Sequence, residues 1–330
     1  METMRAITCT KYGSPDVLQL KEVEKPTPKD DEVLVKIHAA SVNMYDWHLL
    51  TADIFMVRLM GGGLLRPKHP IPGADIAGRI EAAGSHIKQF RPGDEVFGDI
   101  SACGDGGFAE YVSVRESSLA LKPSNLTFDE AAAVPMAATT ALQGLRDQGH
   151  IQPGQKVLIQ VASGGVWTFA VQIAKSFGAE VTAVCSTRNL EQALSLGADH
   201  VIDYTKEDFT KSGKQYDLIL AANGYHPLSD YKRALTSQGI YVMAGGTMAQ
   251  IFGAMLLGSW MSKTGGKKMG GVTGKPNQGD LTFMKGLLEA GKVVPVIDRR
   301  YPLPETAEAL RYLGEGHARG KIVITVGPSS

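Results

Sequence analysis

This sequence has few cysteines, lacks long apolar runs and has no excess of either charge. Its 330 residues hold three cysteines, Cys9, Cys103 and Cys185, an odd number that is widely spaced. That usage is typical of a reducing compartment and argues against a disulfide framework. The most apolar stretch, residues 251–260, is interrupted by glycines and is far shorter than the ~18 apolar residues of a membrane span.

The charge balance argues against two classes of partner. With 34 basic and 34 acidic residues the formal net charge is zero, so no long-range field favours nucleic acid or an anionic membrane. The first five residues, Met1 to Arg5, carry no apolar segment of the kind that a secretory signal contains. We expect a cytoplasmic protein without a membrane span. An organellar location after removal of a targeting peptide stays open as the alternative.

One segment, residues 156–188, has the pattern of a nucleotide-binding turn. Lys156–Val161 predicts a buried strand, residues 162–167 predict a turn, and the apolar spacing that follows predicts a helix through Lys175. Glu180–Cys185 predicts a second strand. A strand that turns directly into a helix presents unpaired N–H groups and a positive dipole end, and both suit a pyrophosphate. The segment therefore predicts a site for a nicotinamide dinucleotide.

The same turn lacks two of the small residues that such a site uses. Small residues serve the tight turn, the phosphate approach and the contact between helix and strand. Those places hold Val161, Gly164 and Trp167. A large residue forced into a tight contact costs about 1–3 kcal/mol. Two interpretations follow: Trp167 packs inside at that cost, or its indole turns outward and covers or fills part of the cofactor cleft.

The two halves of the chain differ in their sequence patterns. Short strands separated by Pro-Gly and Gly-Gly turns predict a small barrel or sandwich in the first part; they are Val33–His38, Gly73–Ile80, Asp94–Phe97 and Phe108–Val114. From Thr127 onward helices and strands alternate, which predicts a parallel sheet covered on both faces. Thr127 and Glu130 predict the cap of a helix over residues 128–148.

The end of the chain is predicted to return to the first domain. Residues 258–279 are rich in Gly and Lys and predict a mobile loop, followed by helices near 281–289 and 305–315 and a strand at 321–326. We expect domains at residues 1–126, 127–265 and 266–330, with the parallel sheet inserted between the two parts of the β-rich domain.

Several sequence segments resemble the zinc-independent, quinone oxidoreductase-like branch of the medium-chain dehydrogenase/reductase superfamily. They are residues 41–47 (SVNMYDW), 71–78 (IPGADIAG), 91–96 (RPGDEV), 107–111 (GFAEY) and 196–204 (LGADHVIDY). The resemblance covers essentially the whole chain. It implies an α/β protein in which a GroES-like β-barrel catalytic domain contains an inserted Rossmann domain, a doubly wound parallel sheet. It also implies a homodimer that uses NADPH to reduce quinones or C=C bonds conjugated to a carbonyl (enones).

The residues at the family's metal positions do not suit catalytic zinc. Zinc-dependent members of the superfamily have a cysteine where Asn43 stands and a His-Glu pair where Ala74 and Asp75 stand. Asparagine and alanine supply neither a thiolate nor an imidazole. Four clustered cysteines for a structural zinc lobe are also missing. We therefore expect no metal, and carbonyl–alcohol interconversion aided by a Lewis acid is disfavoured.

The end of the second Rossmann strand bears on the choice of cofactor. NAD-binding proteins tend to have Asp or Glu there, whereas this chain has Ser186, Thr187 and Arg188 after Cys185. A guanidinium and two hydroxyls suit the 2′-phosphate of NADPH. The resemblance adds Lys175 and Tyr204 as contacts of the same phosphate. The structural alternative makes the two hydroxyl residues a helix cap and the arginine a solvated first-turn residue.

For the chemistry, the resemblance implies Asn43, Tyr45 and Asp46 beside the nicotinamide. Asn43 would donate its amide N–H to a substrate carbonyl, and Tyr45 would donate a proton or hydrogen bond. Asp46 would fix the loop that carries them. The alternative is that Asn43 and Asp46 only satisfy a turn.

The resemblance also implies further cofactor contacts along the chain. They are Thr140, the turn residues Ser163, Gly164, Gly165 and Val166, Gly245 and Gly246 after the fifth strand of the Rossmann run, and Lys275 and Asn277 in the predicted loop. For Thr140 the structural alternative is a hydroxyl that bonds a carbonyl one turn back. Met56, Leu59, Met60, Leu64 and Leu65 would line an apolar substrate mouth, or belong to the core.

A non-enzymatic hypothesis rests on Val161 and Trp167. It holds that the fold is kept while dinucleotide binding is lost, which would leave a binding or structural protein or an altered cleft.

Overall fold

The structure, a computed structural model, describes residues 2–53, 63–161, 164–222, 226–245, 266–272 and 274–326. The chain divides into two compact units. The first consists of residues 1–137, 276–289 and 295–330, and the second of residues 138–275 and 290–294. The second unit is thus inserted in the first. The crossings at 137/138 and 275/276 lie later in the chain than the predicted boundaries at 126/127 and 265/266, and the short segment 290–294 adds two more.

The chain begins with strands and one short helix of the first unit. Their bounds are β1 Thr3–Thr8, β2 Gln19–Glu24, β3 Glu32–Val42, α1 Met44–Thr51, β4 Asp75–Ala83, β5 Glu95–Asp99, β6 Tyr111–Arg115 and β7 Leu119–Leu121. The apolar residues Val33, Val35 and Ile37 of β3 are all buried, as the period of two predicts. The four predicted strands are therefore confirmed, with shifted ends.

The predicted helix over residues 128–148 is divided into three pieces. They are α2 Phe128–Ala132, α3 Pro135–Leu142 and a π-helical segment, Gln143–Gln148. The predicted cap is present, because the backbone N–H of Thr127 donates to the Glu130 carboxylate while Glu130 N–H donates back to the Thr127 hydroxyl. Pro135 has no N–H to donate, and the first helix stops before it.

The second unit continues with alternating strands and helices. Their bounds are β8 Lys156–Val161, α4 Gly165–Ser176, β9 Glu180–Cys185, α5 Leu190–Ser195, β10 His200–Asp203, β11 Tyr216–Ala222, α6 Leu228–Ala234, β12 Leu235–Met243 and β13 Lys268–Gly271. The chain then returns to the first unit with α7 Gln278–Glu289, β14 Ile297–Pro302, α8 Thr306–Gly314 and β15 Lys321–Thr325. None of the helices in the described part of the chain is long and apolar enough to cross a membrane.

Six parallel strands form the sheet of the second unit, in the order β10-β9-β8-β11-β12-β13. This order, which runs outward in both directions from β8, is that of dinucleotide-binding Rossmann folds. The last strand, β13, lies inside the segment that the sequence predicts as a mobile loop. That prediction is wrong for residues 268–271, whose Gly-rich sequence has little strand propensity and is ordered by pairing with β12.

The larger sheet of the first unit has the order β14-β15-β3-β4-β5-β7, with β6 also paired to β3. All of its pairs are antiparallel except β14 with β15. The C-terminal strand β15 lies beside β3, as the predicted return of the chain requires. This pairing brings Lys321 to the end of β3, next to Asn43.

Candidate active site

The turn between β8 and α4 has an open backbone at Gly164. This residue has φ of +97°, a conformation that side chains disfavour. A Cβ placed there would meet no atom within 4 Å. Gly165 and Val166 follow as the first residues of the twelve-residue helix α4, whose leading N–H groups and positive dipole end suit a phosphate. The residues present therefore fit a dinucleotide pyrophosphate. Ser163 lies outside the described residues.

Trp167 packs inside the second unit. Its side chain is 1% exposed, and its indole N–H is buried without a hydrogen-bond partner. An indole that covered or filled an open cleft would be exposed to solvent. The interpretation that Trp167 turns outward is therefore wrong. The cost of the large side chain appears instead as an unsatisfied donor, which is typically worth about 1–3 kcal/mol.

Four of the residues predicted to bind the 2′-phosphate meet at the carboxyl end of β9. Thr187 and Arg188 are exposed there, and the backbone N–H of Tyr204 donates to Cys185 O at 3.1 Å. Ser186 precedes them and is half-buried. The structure thus brings these predicted contacts together at one edge of the sheet, where the crevice of such folds lies.

Asp203 changes the electrostatics of this edge. Its carboxylate accepts hydrogen bonds from the hydroxyls of Thr187 and Thr205, and from the Thr205 N–H at 3.0 Å. These bonds lower the pKa of Asp203 to about 2. The Thr187 hydroxyl is therefore committed to a neighbouring carboxylate. Sequence reading missed Asp203, although it directly precedes Tyr204 in the segment of residues 196–204.

Lys175 lies at the opposite end of β9 from Arg188. Its ammonium contacts both oxygens of Asp199, at 2.9 and 2.7 Å, and Asp199 accepts the N–H of Val181 at the start of the strand. A strand rises about 3.3 Å per residue, so six residues separate the two cations by well over 10 Å. The prediction that Lys175 contacts the same phosphate is wrong, because the helix that carries it runs back to the amino edge of the sheet.

The second unit also holds Thr140 and Lys275 close together. The side-chain amide of Gln143 donates to Lys275 O at 2.8 Å and accepts the Lys275 N–H at 3.1 Å. One turn earlier on the helix, the Thr140 hydroxyl lies 3.9 Å from the Cβ position of Gly274. Gln143 lies in no motif that pointed to a site, yet it fixes the segment that carries Lys275.

Of the other predicted contacts, some are not placed with the cofactor turn, and some lie outside the described residues. Gly245 follows β12 with φ of +128°, while Gly246 is not among the described residues. Asn277 belongs to the first unit, where both ends of its amide bond Asp280 at 2.8 Å and so cap α7. Leu64 and Leu65 are exposed, and Met56, Leu59 and Met60 lie outside the described residues.

In the first unit, Asn43 is the centre of a buried polar network. Its amide oxygen accepts from the ammonium of Lys321, and its amide nitrogen donates to Asp75 at 3.0 Å. Lys321 also contacts Asp75 at 3.3 Å, with side-chain exposures of 3% and 0%. Ser41 Oγ and Met136 N complete the coordination of the Asp75 carboxylate, at 3.2 and 3.0 Å. The charge of each partner is thus compensated, as buried ions require.

This network occupies the place where a metal ion would need ligands. The Asn43 oxygen, which is the ligand atom available at the family's cysteine position, already binds an ammonium. The second nitrogen donor of the Asn43 amide points to Ser41 O at 3.5 Å. The amide is therefore held in place from both ends, which is a positioning role that sequence reading did not foresee. Its donation to a substrate stays a prediction.

Tyr45 and Asp46 lie in the first turn of α1 beside this network. Asp46 is 1% exposed; one of its oxygens accepts the Asn43 N–H at 2.7 Å, and the other is buried without a partner. Burial and the nearby Asp105 raise the pKa of Asp46 well above its usual value. Burial and the charges of Asp105 and Asp46 raise the pKa of the phenol of the half-buried Tyr45.

Two further carboxyl groups, Asp99 and Asp105, complete the cluster. Burial raises the pKa of Asp105 to about 7, with a further contribution from Asp99. Burial and the charge of Asp75 raise the pKa of Asp99 to about 6. Protons are thus held near neutral pH beside Tyr45. Lys321 and Asp105 were missed because their partners lie far away in the sequence.

Two family models match parts of the chain. One is described as an alcohol dehydrogenase GroES-like domain and matches residues 29–124. The other is described as a zinc-binding dehydrogenase and matches residues 196–324. Together they cover parts of both units described above.

Relatives match the chain along nearly its whole length. A chloroplast envelope quinone oxidoreductase homolog of Arabidopsis thaliana is 35% identical over 97% of this chain and 98% of its own. A chloroplastic NADPH-dependent alkenal/one oxidoreductase of the same plant is 34% identical over 97% of this chain and 79% of its own. The solved quinone oxidoreductase of Coxiella burnetii is 29% identical, with a TM-score of 0.86 over 99% of this chain and 100% of that one. The chain thus belongs to the medium-chain dehydrogenase/reductase superfamily, in its quinone oxidoreductase-like branch.

Proposed function

We propose that this chain is an NADPH-dependent oxidoreductase that reduces quinones, or C=C bonds conjugated to a carbonyl, without zinc. The observation that carries the proposal is the open turn at Gly164, which leads directly into α4 on the central strand of a Rossmann-type sheet. The printed functions of the two plant relatives, quinone and alkenal/one reduction, support the substrate classes.

The preference for NADPH over NADH rests on the loop after β9. Arg188 is exposed there, and a guanidinium forms charge-assisted, often bidentate bonds with phosphate oxygens. Asp203 contacts the loop through Thr187, and its oxygens accept hydrogen bonds from Thr187 and Thr205. It is therefore poorly placed to accept from a ribose hydroxyl. One alkenal/one oxidoreductase relative is NADPH-dependent by name, which supports the same choice.

Independence from zinc rests on the donor set of the first unit. Asn43, Ala74 and Asp75 stand at the positions of the metal ligands in zinc-dependent members. The Asn43 oxygen and the Asp75 carboxylate both bind the Lys321 ammonium. A divalent cation at the same place would face this buried charge, and the soft ligands that zinc prefers are missing.

Bound NADPH would supply a hydride, and the chain would supply position and a proton. Tyr45, with its phenol kept neutral by burial, is the proton donor in this proposal. Asn43, held between Lys321 and Asp75, fixes the start of α1 and with it the Tyr45 side chain. A buried Trp167 leaves the entrance of the turn free, so loss of cofactor binding is not favoured.

Two finer expectations remain proposals. A homodimer is expected from the family resemblance. A cytoplasmic location is expected from the sequence, whereas the two plant relatives are chloroplast proteins by name.

The test is product analysis after turnover. The purified protein is incubated with NADPH and either an enone or a quinone, and the products are identified by mass spectrometry. A saturated ketone or a hydroquinone, formed in step with NADPH oxidation, is expected. Formation of an allylic alcohol instead would show carbonyl reduction and contradict the proposal. Absence of turnover with a panel of both substrate classes would contradict it as well.

A further inference from the structure

The stretch of chain after β13 is fixed to the π-helical segment Gln143–Gln148 by a two-sided hydrogen bond. The buried side-chain amide of Gln143 donates to Lys275 O at 2.8 Å, and its oxygen accepts the Lys275 N–H at 3.1 Å. One side chain thus satisfies both backbone groups of Lys275, in the way that a neighbouring strand would. The backbone of Lys275 is therefore held at one place, although the residue itself is exposed.

Two further contacts fix the same stretch of chain. Gly144 packs so closely that a Cβ there would meet the Val272 side chain at 3.2 Å. Four residues earlier, the Thr140 hydroxyl lies 3.9 Å from the Cβ position of Gly274. Residues that are three and four positions apart share one face of a helix, so Gln143 belongs to the same face as these two contacts. One helix face thus holds the stretch at three points.

The lysine that is fixed in this way lies at the carboxyl edge of the parallel sheet. Strand β13 is parallel to β12 and ends at Gly271, and the Val272 N–H donates to Met243 O, at the end of β12, at 2.8 Å. The Gly164 turn follows the carboxyl end of β8 in the same sheet. In sheets of this kind the ligand crevice lies outside the carboxyl ends of the strands. Lys275 therefore belongs to the edge that borders the crevice.

The order of the strands indicates which half of a dinucleotide would lie on this side. Strand β9, which has Arg188 after its carboxyl end, and strand β11 lie on opposite sides of the central strand β8, and β12 and β13 follow beyond β11. A 2′-phosphate bound at Arg188 would put the adenosine half of NADPH on the β9 side. With the pyrophosphate at Gly164, the nicotinamide half would then extend over β11 toward β12 and β13.

We propose that Gln143 is a positioning residue that holds Lys275 beside the nicotinamide half of the bound cofactor. The inference rests on the proposed function and deepens it. An ammonium group can only donate hydrogen bonds, and this half of the cofactor offers acceptors: phosphate, ribose hydroxyl and carboxamide oxygens. A backbone that is already fixed loses less entropy when its side chain binds. Gln143 thus contributes to affinity through Lys275.

The first experiment measures, by calorimetry, the Kd for NADPH and for adenosine 2′,5′-bisphosphate, which lacks the nicotinamide half. Gln143→Met keeps the approximate length and volume of the side chain and removes both hydrogen bonds, so the variant should fold. We expect the Kd for NADPH to rise about tenfold, as for the loss of one charge-assisted hydrogen bond, and the Kd for the bisphosphate to stay unchanged. Gln148→Met, at an exposed glutamine of the same helical segment, is the matched control and should change neither value. Equal weakening of both ligands by Gln143→Met would overturn the proposal, because Gln143 would then only support the fold.

A double substitution tests whether Gln143 acts through Lys275. Lys275→Ala alone should weaken NADPH binding by about tenfold, because the charged donor is removed. In that background, Gln143→Met should cause no further loss. A further loss of the same size would overturn the proposal, because Gln143 would then act without the lysine. An unchanged affinity for NADPH in either single variant would overturn it too.

A measurement without any nucleotide separates this inference from the proposed function. The Lys275 N–H, which Gln143 accepts, should exchange with solvent deuterium about tenfold more slowly in the wild-type protein than in Gln143→Met. Equal exchange rates would show that the hydrogen bond does not hold the segment, and would overturn the inference even if enones are reduced. If exchange and NADPH binding behave as expected but neither enones nor quinones are reduced, the proposed function alone is overturned.

Discussion

The buried side chains at the two candidate sites, the Asn43 network in the first unit and Trp167 in the second, are paired in opposite ways. In the first, the buried ions Lys321 and Asp75 are joined to Asn43, and every charge of that trio has a partner. In the second, the buried Trp167 leaves an indole N–H without any. The first unit thus depends on electrostatic compensation and the second on backbone geometry at Gly164. Substitutions in the two units should therefore lower the stability of the protein for different reasons, and these losses should depend differently on pH.

The largest loss is expected when the buried ion pair is broken. Lys321→Met leaves the Asp75 carboxylate buried without its cation, and the free energy of unfolding should fall by about 3–5 kcal/mol. Urea unfolding measures this loss. Lys21→Met, at an exposed lysine of the same unit, is the control and should change stability little. A second substitution, Asp75→Asn, should recover part of the loss because it removes the uncompensated charge. Equal losses in the single and double variants would show that packing, not charge, dominates.

In the second unit, the corresponding loss should come from packing alone. Trp167→Ala removes a fully buried side chain, and the free energy of unfolding should fall by roughly 3 kcal/mol, the lower end for such changes because an unsatisfied donor is removed too. The affinity for NADPH, measured in the same preparation, should stay within a few-fold. Trp167→Phe keeps most of the volume and serves as the control. If the alanine variant bound NADPH far more tightly without losing stability, the indole would occupy the cofactor site.

The smallest effect concerns the pH dependence of stability, which should arise in the first unit. The folded-state pKa values of Asp105, Asp99 and Asp46 all lie above the ordinary value, so the folded state binds more protons than the unfolded state between about pH 4 and 7. Stability should therefore fall as pH rises through this window, by roughly 2 kcal/mol after allowance for the partial exposure of Asp105. Denaturant unfolding at pH 5 and pH 8 measures the difference. Asp105→Asn should reduce it, and an unchanged difference in that variant would contradict the assignment.

The sequence predicted the elements that follow a clear period. Each segment from Lys156 to Asp203 has an apolar spacing that fits either a strand or a helix but not both. The predicted strands and helices there lie within a few residues of the observed ones. Strand β13 was missed because its Gly-rich residues gain order only by pairing with β12. Strand β14 was missed because its Asp-Arg-Arg sequence is polar and lies at the edge of the sheet.

The candidate site was less predictable, because its contacts are long-range. Lys321 and Asn43 are 278 positions apart in the chain, and only the pairing of β15 with β3 brings them together. Lys175 was wrongly predicted because it lies in the last turn of α4, which returns the chain to the amino edge of the sheet and so to the start of β9. Asn43 and Asp46 could be selected from the sequence because their motif is local, and their roles in the reaction stay predictions.

The central claim is that the turn at Gly164 still binds a nicotinamide dinucleotide, with a preference for the phosphorylated form. Calorimetric titration of the purified protein with NADPH and, separately, with NADH tests it most directly. We expect micromolar binding of NADPH and at least tenfold weaker binding of NADH, because the exposed guanidinium of Arg188 is suited to a 2′-phosphate. No detectable binding of either nucleotide would contradict the claim.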